Sequence, residues 1–323
     1  MGAGPRFSIL MPAYNRAAYI AETIECLLGQ AFGEFELLIV DDGSTDGTAE
    51  IIAGYAARDR RLRVHTQPNA GRPSVGRNVG LERACGDHIT FIDSDDLHTP
   101  DRLRILDDVL RRHGEGHVVF HDLGFIDACG AALPGTYLGN AGFTTAAACH
   151  LRPIGPQCHA LGPDFWRFAA LRYAALHTCA VSIPRALVQA HGLRFDTRYT
   201  IVDDTDMWLR LSLLCPLLYV DRVIGQYRLH QGGISKNPGR LLEESIALHE
   251  NHLARLEPAI EEAVRREYRR KIAQYWGELG YARRANGDFG AAADAYAKAL
   301  RIAPSVQHGR DLVKALCRLP VRA

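Results

Sequence analysis

The chain has 323 residues, 47% hydrophobic and 23% charged, enough for one large domain with an ample core and a smaller second one. With 38 basic side chains against 37 acidic ones the formal net charge is +1, so no overall field favours nucleic acid and phosphate chemistry must come from a local site. The eight cysteines are scattered, with no Cys-X-X-Cys pair, which argues against a zinc site or a disulfide framework and for a reducing compartment.

No basic segment, apolar stretch and cleavage site stand in series at the N-terminus, so no signal peptide is read and a cytoplasmic location is expected. The longest apolar patch, residues 209–220, is interrupted by Arg210, Ser212 and Pro216 and falls short of the roughly 20 residues that span a bilayer. Contact with a membrane is therefore expected only as peripheral association at its inner face.

Residues 6–12 (RFSILMP) form a β-prone run. A segment over 18–29 follows, carrying Ile20, Ile24, Leu27 and Leu28 at helical spacing. Residues 36–40 (ELLIV) predict a second strand that closes on Asp41-Asp42-Gly43-Ser44-Thr45-Asp46-Gly47-Thr48, with a helix over 49–57. Residues 63–65 predict a third strand, 74–84 a helix and 88–92 a fourth strand. Strands alternating with helices imply a parallel, doubly wound α/β sheet, whose ligands sit at the C-terminal ends of its strands.

Two polar clusters fall at that edge. Phe91-Ile92-Asp93-Ser94-Asp95-Asp96 places three carboxylates in four positions behind a buried run. Such groups repel unless a cation or donors hold them, and a hard divalent ion takes carboxylates together with phosphate oxygens. The alternative is a turn leading to a helix cap, with Asp96 or Thr99 opening the helix that Pro100-Asp101 begins. The Asp41–Thr48 cluster likewise reads either as Asp-Gly turns with Ser/Thr caps or as carboxylates that accept from a base or a ribose.

In order, FSILMPAYNR, LLIVDDGSTDGT, residues 69–80 (NAGRPSVGRNVG), FIDSDD and residues 202–210 (VDDTDMWLR) resemble family 2 glycosyltransferases with the GT-A fold. The resemblance ends near residue 230 and covers about the first 235 residues. Five motifs in sequence are specific for the family and not for its substrate. The resemblance implies that Pro12, Ala13 and Tyr14 line the nucleotide base and that Asp42 accepts from it. Arg77 and Asn78 would face the nucleotide or its diphosphate, with Asp93 near the ribose and the metal. Asp95 would hold Mn²⁺ or Mg²⁺, His230 would lie near that ion, and Asp204 would be the general base. One departure is Asp203, where the family usually has Glu before the Asp.

The residue types suit transfer from a nucleotide-sugar donor, UDP-linked in most of the family, to a hydroxyl of a glycan or lipid-linked acceptor. A Lewis acid neutralises the leaving diphosphate, one carboxylate takes the acceptor proton, and a single displacement inverts the anomeric centre. On the residues alone, Asp203, Asp204 and Asp206 also read as an acidic first helical turn, and His230 as a loop histidine. Residues 135–172, rich in Gly, Ala and Pro with interspersed aromatics, fall where the family's acceptor side lies and name no acceptor.

A GT-A catalytic domain over 1–237 and an α-helical region over 238–323 are expected. Helices are read over 241–256 and 259–275, followed by a segment over 276–304 that resembles one tetratricopeptide repeat. A single repeat cannot bury its own face, so it should dock on neighbouring helices, on the catalytic domain, or on a second subunit as a homo-oligomer. The other function compatible with the chain is a scaffold, a nucleotide-binding GT-A domain without catalysis that recruits partners through its tail. Retention of both Asp95 and Asp204 favours the enzyme. A nucleotidyltransferase would show a Gly- and Arg/Lys-rich loop after the first strand, which Pro12-Ala13-Tyr14-Asn15 is not.

Overall fold

A computed structural model describes residues 4–230, 237–257 and 259–321. The chain divides into two compact units, Met1–Gly233 and Ile234–Ala323.

In the first unit, β1 (Phe7–Ala13), β2 (Phe35–Asp41), β3 (Leu62–Thr66) and β4 (His88–Phe91) alternate with α1 (Ile20–Leu28), α2 (Thr48–Ala56) and α3 (Pro73–Arg83). These four strands are mutually parallel in the order β3-β2-β1-β4. Apolar residues on both faces of β1, β2 and β4 explain why those strands are buried throughout, as expected where helices cover both sides. Ile20, Ile24 and Leu27 of α1 join Phe7, Ile9 and Met11 in the main core. On α3, Gly76 and Gly80 lie on the side facing β1. A Cβ at Gly80 would come within 3.1 Å of Leu10, and one at Gly76 within 3.2 Å of Pro12. Those two bare Cα atoms let α3 sit close on the strand, which brings Arg77 to the sheet edge.

The chain then forms β5 (Leu97–His98), α4 (Arg102–His113) and β6 (Val118–Ile126). Residues 135–172, for which the sequence named no elements, run through β7 (Ala132–Thr136), α5 (Tyr137–Asn140), α6 (Phe143–Ala146), β8 (Leu151–Gly155), β9 (Cys158–Leu161) and α7 (Phe165–Leu171). After these come β10 (Val181–Pro184), α8 (Arg185–His191), α9 (Asp203–Ser212) and β11 (Leu217–Arg228). The full order is β3-β2-β1-β4-β10-β6-β11-β9-β8. β10 runs antiparallel to β4 and β6, whereas β11 is parallel to β6. The start of β10 and the end of β11 therefore reach the same edge as the ends of β1, β2 and β4. Most aromatics of 135–172 pack: Phe143, Phe165 and Phe168 surround one another and Phe143 and Phe165 meet Phe120.

The second unit comprises α10 (Pro238–Leu256), α11 (Glu262–Ala285), α12 (Phe289–Ile302) and α13 (Val306–Leu316). Here the expectation of separate helices is corrected. The helix expected over 259–275 and the first helix of the repeat-like segment are one continuous helix of 24 residues, starting at Glu262. Gly277 and Gly280 do not break it because both lie under neighbouring rings, those of His308 and Tyr296. Gly287, with φ of 82°, makes the turn to α12, and Asp288 caps α12 by accepting from the Ala291 N–H. Among the described residues no helix is long and apolar enough to cross a membrane.

Candidate active site

Parallel register sets the site's frame. Ala13 pairs with Asp41 and Leu10 with Phe91, so the loops after β1, β2 and β4 leave the sheet side by side. The loop after β2 fastens the one after β1: Asn15 N–H donates to Ser44 Oγ at 3.0 Å, Thr45 N–H to Asn15 Oδ1 at 2.8 Å, and Arg16 N–H to Thr48 Oγ1 at 2.8 Å. Thr48 caps nothing, since α2 begins behind Gly47. Asp42 accepts from Gln67 Nε2 at 2.6 Å and from Ala70 N–H at 3.0 Å, anchoring the loop before α3. Gly43, at φ of 73°, would place a Cβ 2.9 Å from the Asn69 nitrogen, so only glycine fits that approach. Pro12 and Ala13 line the end of β1, and the Tyr14 side chain beyond them is exposed at the edge.

The three acids after β4 have three different surroundings. Asp93 accepts from Arg77 Nη2 at 2.8 Å, and the other arm of the same guanidinium reaches Asp203 at 2.8 Å. Burial raises the Asp93 carboxyl, but the charges of Arg77, His177 and Arg16 outweigh it and hold the group below its ordinary value. Asp95 meets Arg16 Nε at 3.1 Å and His230 Nε2 at 2.9 Å through one oxygen. Asp96 is fully buried. It accepts from the Arg228 N–H and the Cys179 thiol, both at 2.8 Å, and burial pushes its carboxyl well up. It is no helix cap, since α4 starts at Arg102 behind Asp101. Arg228, itself buried, also donates to the carbonyls of Asp95, Asp127 and Ala128 and to Glu22.

Asp203 and Asp204 open α9, where the helix dipole favours negative charge. Burial pushes the Asp203 carboxyl up to about 7, opposed by Arg77 and reinforced by Asp204. Asp204 Oδ2 accepts from the Thr178 hydroxyl at 2.9 Å, and its Oδ1 accepts from the Thr205 N–H at 2.6 Å. The adjacent His177 is packed between Tyr137 and Tyr227, at ring distances of 5.1 and 4.9 Å. Burial lowers its pKa, while the charges of Asp204 and Asp93 work in the opposite direction. Asn78, expected to face the nucleotide, bonds the backbone of Phe195. Its amide donates to the Phe195 carbonyl at 2.9 Å and accepts from the Phe195 N–H at 2.8 Å, so it clamps the segment before α9.

Residues 8–127 match the family model for glycosyl transferase family 2. That stretch is similar to the family 2 glycosyltransferase domain. Among curated relatives, an uncharacterized glycosyltransferase of Haemophilus influenzae is 41% identical over 123 residues, covering 37% of this chain and 49% of its own. The putative glycosyltransferase EpsH of Bacillus subtilis is 29% identical over 273 residues, covering 83% of this chain and 73% of its own. The putative teichuronic acid biosynthesis glycosyltransferase TuaG of Bacillus subtilis is 42% identical over 100 residues, covering 31% and 39%. The matched stretch spans about half, or less, of the length of the first of these relatives. Of the solved structures, S. aureus TarS 1-349 in complex with UDP-GlcNAc superposes with a TM-score of 0.64 at 20% identity, covering 97% of this chain and 88% of that one. The mannosyltransferase PcManGT of Pyrobaculum calidifontis, in complex with GDP-Man and Mn²⁺, gives 0.56 at 16% identity, covering 98% and 80%. At those identities the likeness establishes the fold, the mixed sheet flanked by helices of GT-A glycosyltransferases, with the C-terminal helices in addition.

Two donor sets at this edge of the sheet invite a cation. Asp93, Asp96 and Cys179 bring ligand atoms within 4.8 Å of one another. Its chemistry suits a hard ion poorly: the thiol, a soft ligand that burial pushes well up, donates to the Asp96 carboxyl, and the two close on each other as a buried clasp. Asp95 with His230 fits better, an oxygen and an imidazole nitrogen converging at 2.9 Å on the edge where a diphosphate would add its own oxygens. Asp93 is separated from that pair by its bond to Arg77, so the expected triad of Asp93, Asp95 and His230 is divided into two groups.

The sequence reading overlooked Arg16, His177, Thr178 and Arg228. Arg16 stands in the first motif and could have been found as a lone cation directly after a strand end. His177 and Thr178 sit in a short turn before β10 with no acidic neighbour in sequence, and only the antiparallel return of β10 brings them to Asp204.

Proposed function

We propose that the protein is an inverting, metal-assisted glycosyltransferase that moves a sugar from a nucleotide-diphosphate donor to a hydroxyl of a glycan or lipid-linked acceptor in cell-surface polysaccharide synthesis. Residues 1–237 are taken as the catalytic domain. A UDP-sugar is the favoured donor, a choice supported by the UDP-GlcNAc held by the fold's neighbour TarS. The α11–α12 hairpin, with Gly280 under Tyr296, is taken as tetratricopeptide-like.

The observation that carries the reading is the Arg77 bridge. One buried guanidinium ties Asp93, on the donor side, to Asp203, the neighbour of the base, so both halves of the site keep a fixed spacing. On the donor side, Pro12, Ala13 and Tyr14 receive the base and Asp42 accepts from it. Asp95 and His230 would hold Mn²⁺ or Mg²⁺, which when bound neutralises charge on the leaving diphosphate. Asp204, oriented by the Thr178 hydroxyl, takes the proton of the acceptor hydroxyl as its oxygen bonds to the anomeric carbon and the bond to the diphosphate breaks. Attack from the face opposite the diphosphate inverts that carbon.

Asp204→Asn keeps the shape and removes the basic oxygen. Turnover with a UDP-sugar should fall by about 10²–10⁴-fold while the donor dissociation constant barely moves. Asp203→Asn should be milder. A severe loss in Asp203→Asn beside a nearly normal Asp204→Asn would move the base by one residue, normal turnover in both would remove the base from this pair of acids, and no turnover of the parent with any nucleotide sugar would remove the transferase assignment.

A further inference from the structure

The last helix turns an apolar face to solvent. α13 buries Ala315 and half-buries Leu312 against Ala292, Ala293 and Tyr296 of α12. Yet Val306 is 73%, Val313 58% and Leu316 68% exposed, and Leu319, just past the helix, is 51% exposed. At 3.6 residues per turn, positions 306, 313 and 316 share the side opposite or flanking away from Ala315, with Cys317 exposed beside them. An apolar stretch grouped this way on a surface marks an interaction site.

The charges on the same element select the partner. Between residues 306 and 319 there are three basic side chains, Arg310, Lys314 and Arg318, and one acid, Asp311. Asp311 is turned inward and nearly buried, 3.0 Å from Lys314 and 3.6 Å from Arg284. Arg310 and Arg318 are exposed and have no ion pair among the described residues. A second copy meeting this face across a two-fold axis would bring like charges together. A negatively charged surface would satisfy them while taking up the leucines and valines.

We propose that α13 and the turn after it lie on a membrane surface that carries anionic lipids. Val313, Leu316 and Leu319 enter between headgroups, and Arg310, Lys314 and Arg318 meet lipid phosphates, as in interfacial amphipathic helices. Such contact is independent of whether the first unit transfers sugar, and the test uses no activity.

The full chain is sedimented with phosphatidylcholine vesicles, with and without phosphatidylglycerol. Binding should require the anionic lipid and weaken as salt rises. Leu316→Glu should lower the partition coefficient about tenfold or more, and Arg310→Gln with Arg318→Gln should lower it by about fivefold for each charge removed. All three positions are exposed, and thermal melts of the variants should match the parent. Equal binding to neutral and anionic vesicles, no binding to either, or unchanged binding of the variants would overturn the proposal. So would a dimer seen by light scattering that Leu316→Glu dissolves, since that outcome gives the face to a second copy.

Discussion

Replacing Arg77 with methionine keeps most of the side-chain volume and removes the one cation between Asp93 and Asp203. Both acids accept from it at 2.8 Å, and Arg77 and Asp203 are almost wholly buried. Breaking a buried ion pair by deleting one partner costs about 3–5 kcal/mol, because the other charge is left uncompensated. The variant can escape part of that cost by protonating Asp203, so the loss should depend on pH. The folded-state pKa of Asp203, at about 7, lies above its unfolded value, so the folded state binds the extra proton. Stability therefore falls as pH rises through that window, by about 1.4 kcal/mol per pH unit, and levels off above the folded pKa. In the parent the fall ends near 7, whereas without Arg77 the folded pKa climbs and the fall continues. Urea unfolding followed through Trp208, which packs 5.5 Å from Phe91 and 5.8 Å from Phe195, reports on this region. The gap between parent and variant should widen from about pH 6 to about pH 8 by one to two kcal/mol. A gap that stays below about 1 kcal/mol, or that does not change with pH, would refute the view that Arg77 compensates the buried Asp203 carboxylate while bridging it to Asp93.

Asp95→Ala should abolish Mn²⁺-dependent binding of UDP in titration calorimetry with an unchanged melting profile; undiminished affinity would remove the ion from that residue. Thr178→Val deletes the hydroxyl 2.9 Å from Asp204 Oδ2. Turnover should drop about tenfold at constant donor affinity, with Thr178→Ser restoring most of it, because a hydrogen bond to a charged group contributes about 1.5–3 kcal/mol. Rescue failing in Thr178→Ser would assign the residue to packing alone. Gly280→Ala places a Cβ 2.9 Å from the Tyr296 ring and should destabilise the second unit by about 1–3 kcal/mol in thermal melts, whereas a neutral effect would mean that α11 and α12 can separate freely.

The parallel half of the sheet was legible because β1, β2 and β4 are buried on both faces and so are mainly apolar, interrupted by Ser8, Glu36, His88 and Thr90, before their polar loops. The acids at those ends were legible for the same reason. The antiparallel half was not. β7 is exposed along almost its whole length and β8 largely so, and neither shows the alternation of a half-buried strand. The bonds of Asn78 to Phe195 also escaped, because its motif position gives no sign of a partner so far along the chain. Spacing within a motif indicates which side chains lie near the edge. Which of them bond to each other depends on segments that arrive much later in the chain, as Asp203 does for Arg77 and His230 for Asp95.

Arg228 shows what late arrival means during synthesis. It supplies the backbone donor to Asp96 and, through its guanidinium, reaches the carbonyls of Asp95, Asp127 and Ala128. At about 5–20 residues per second, the ribosome needs roughly 7 to 26 s to travel from residue 96 to residue 228. Throughout that interval Asp96 has no Arg228 N–H to accept from. Nascent chains halted before β11 should therefore be the species that proteases cut and chaperones hold, and the acids after β4 should close over only as the final strand is released.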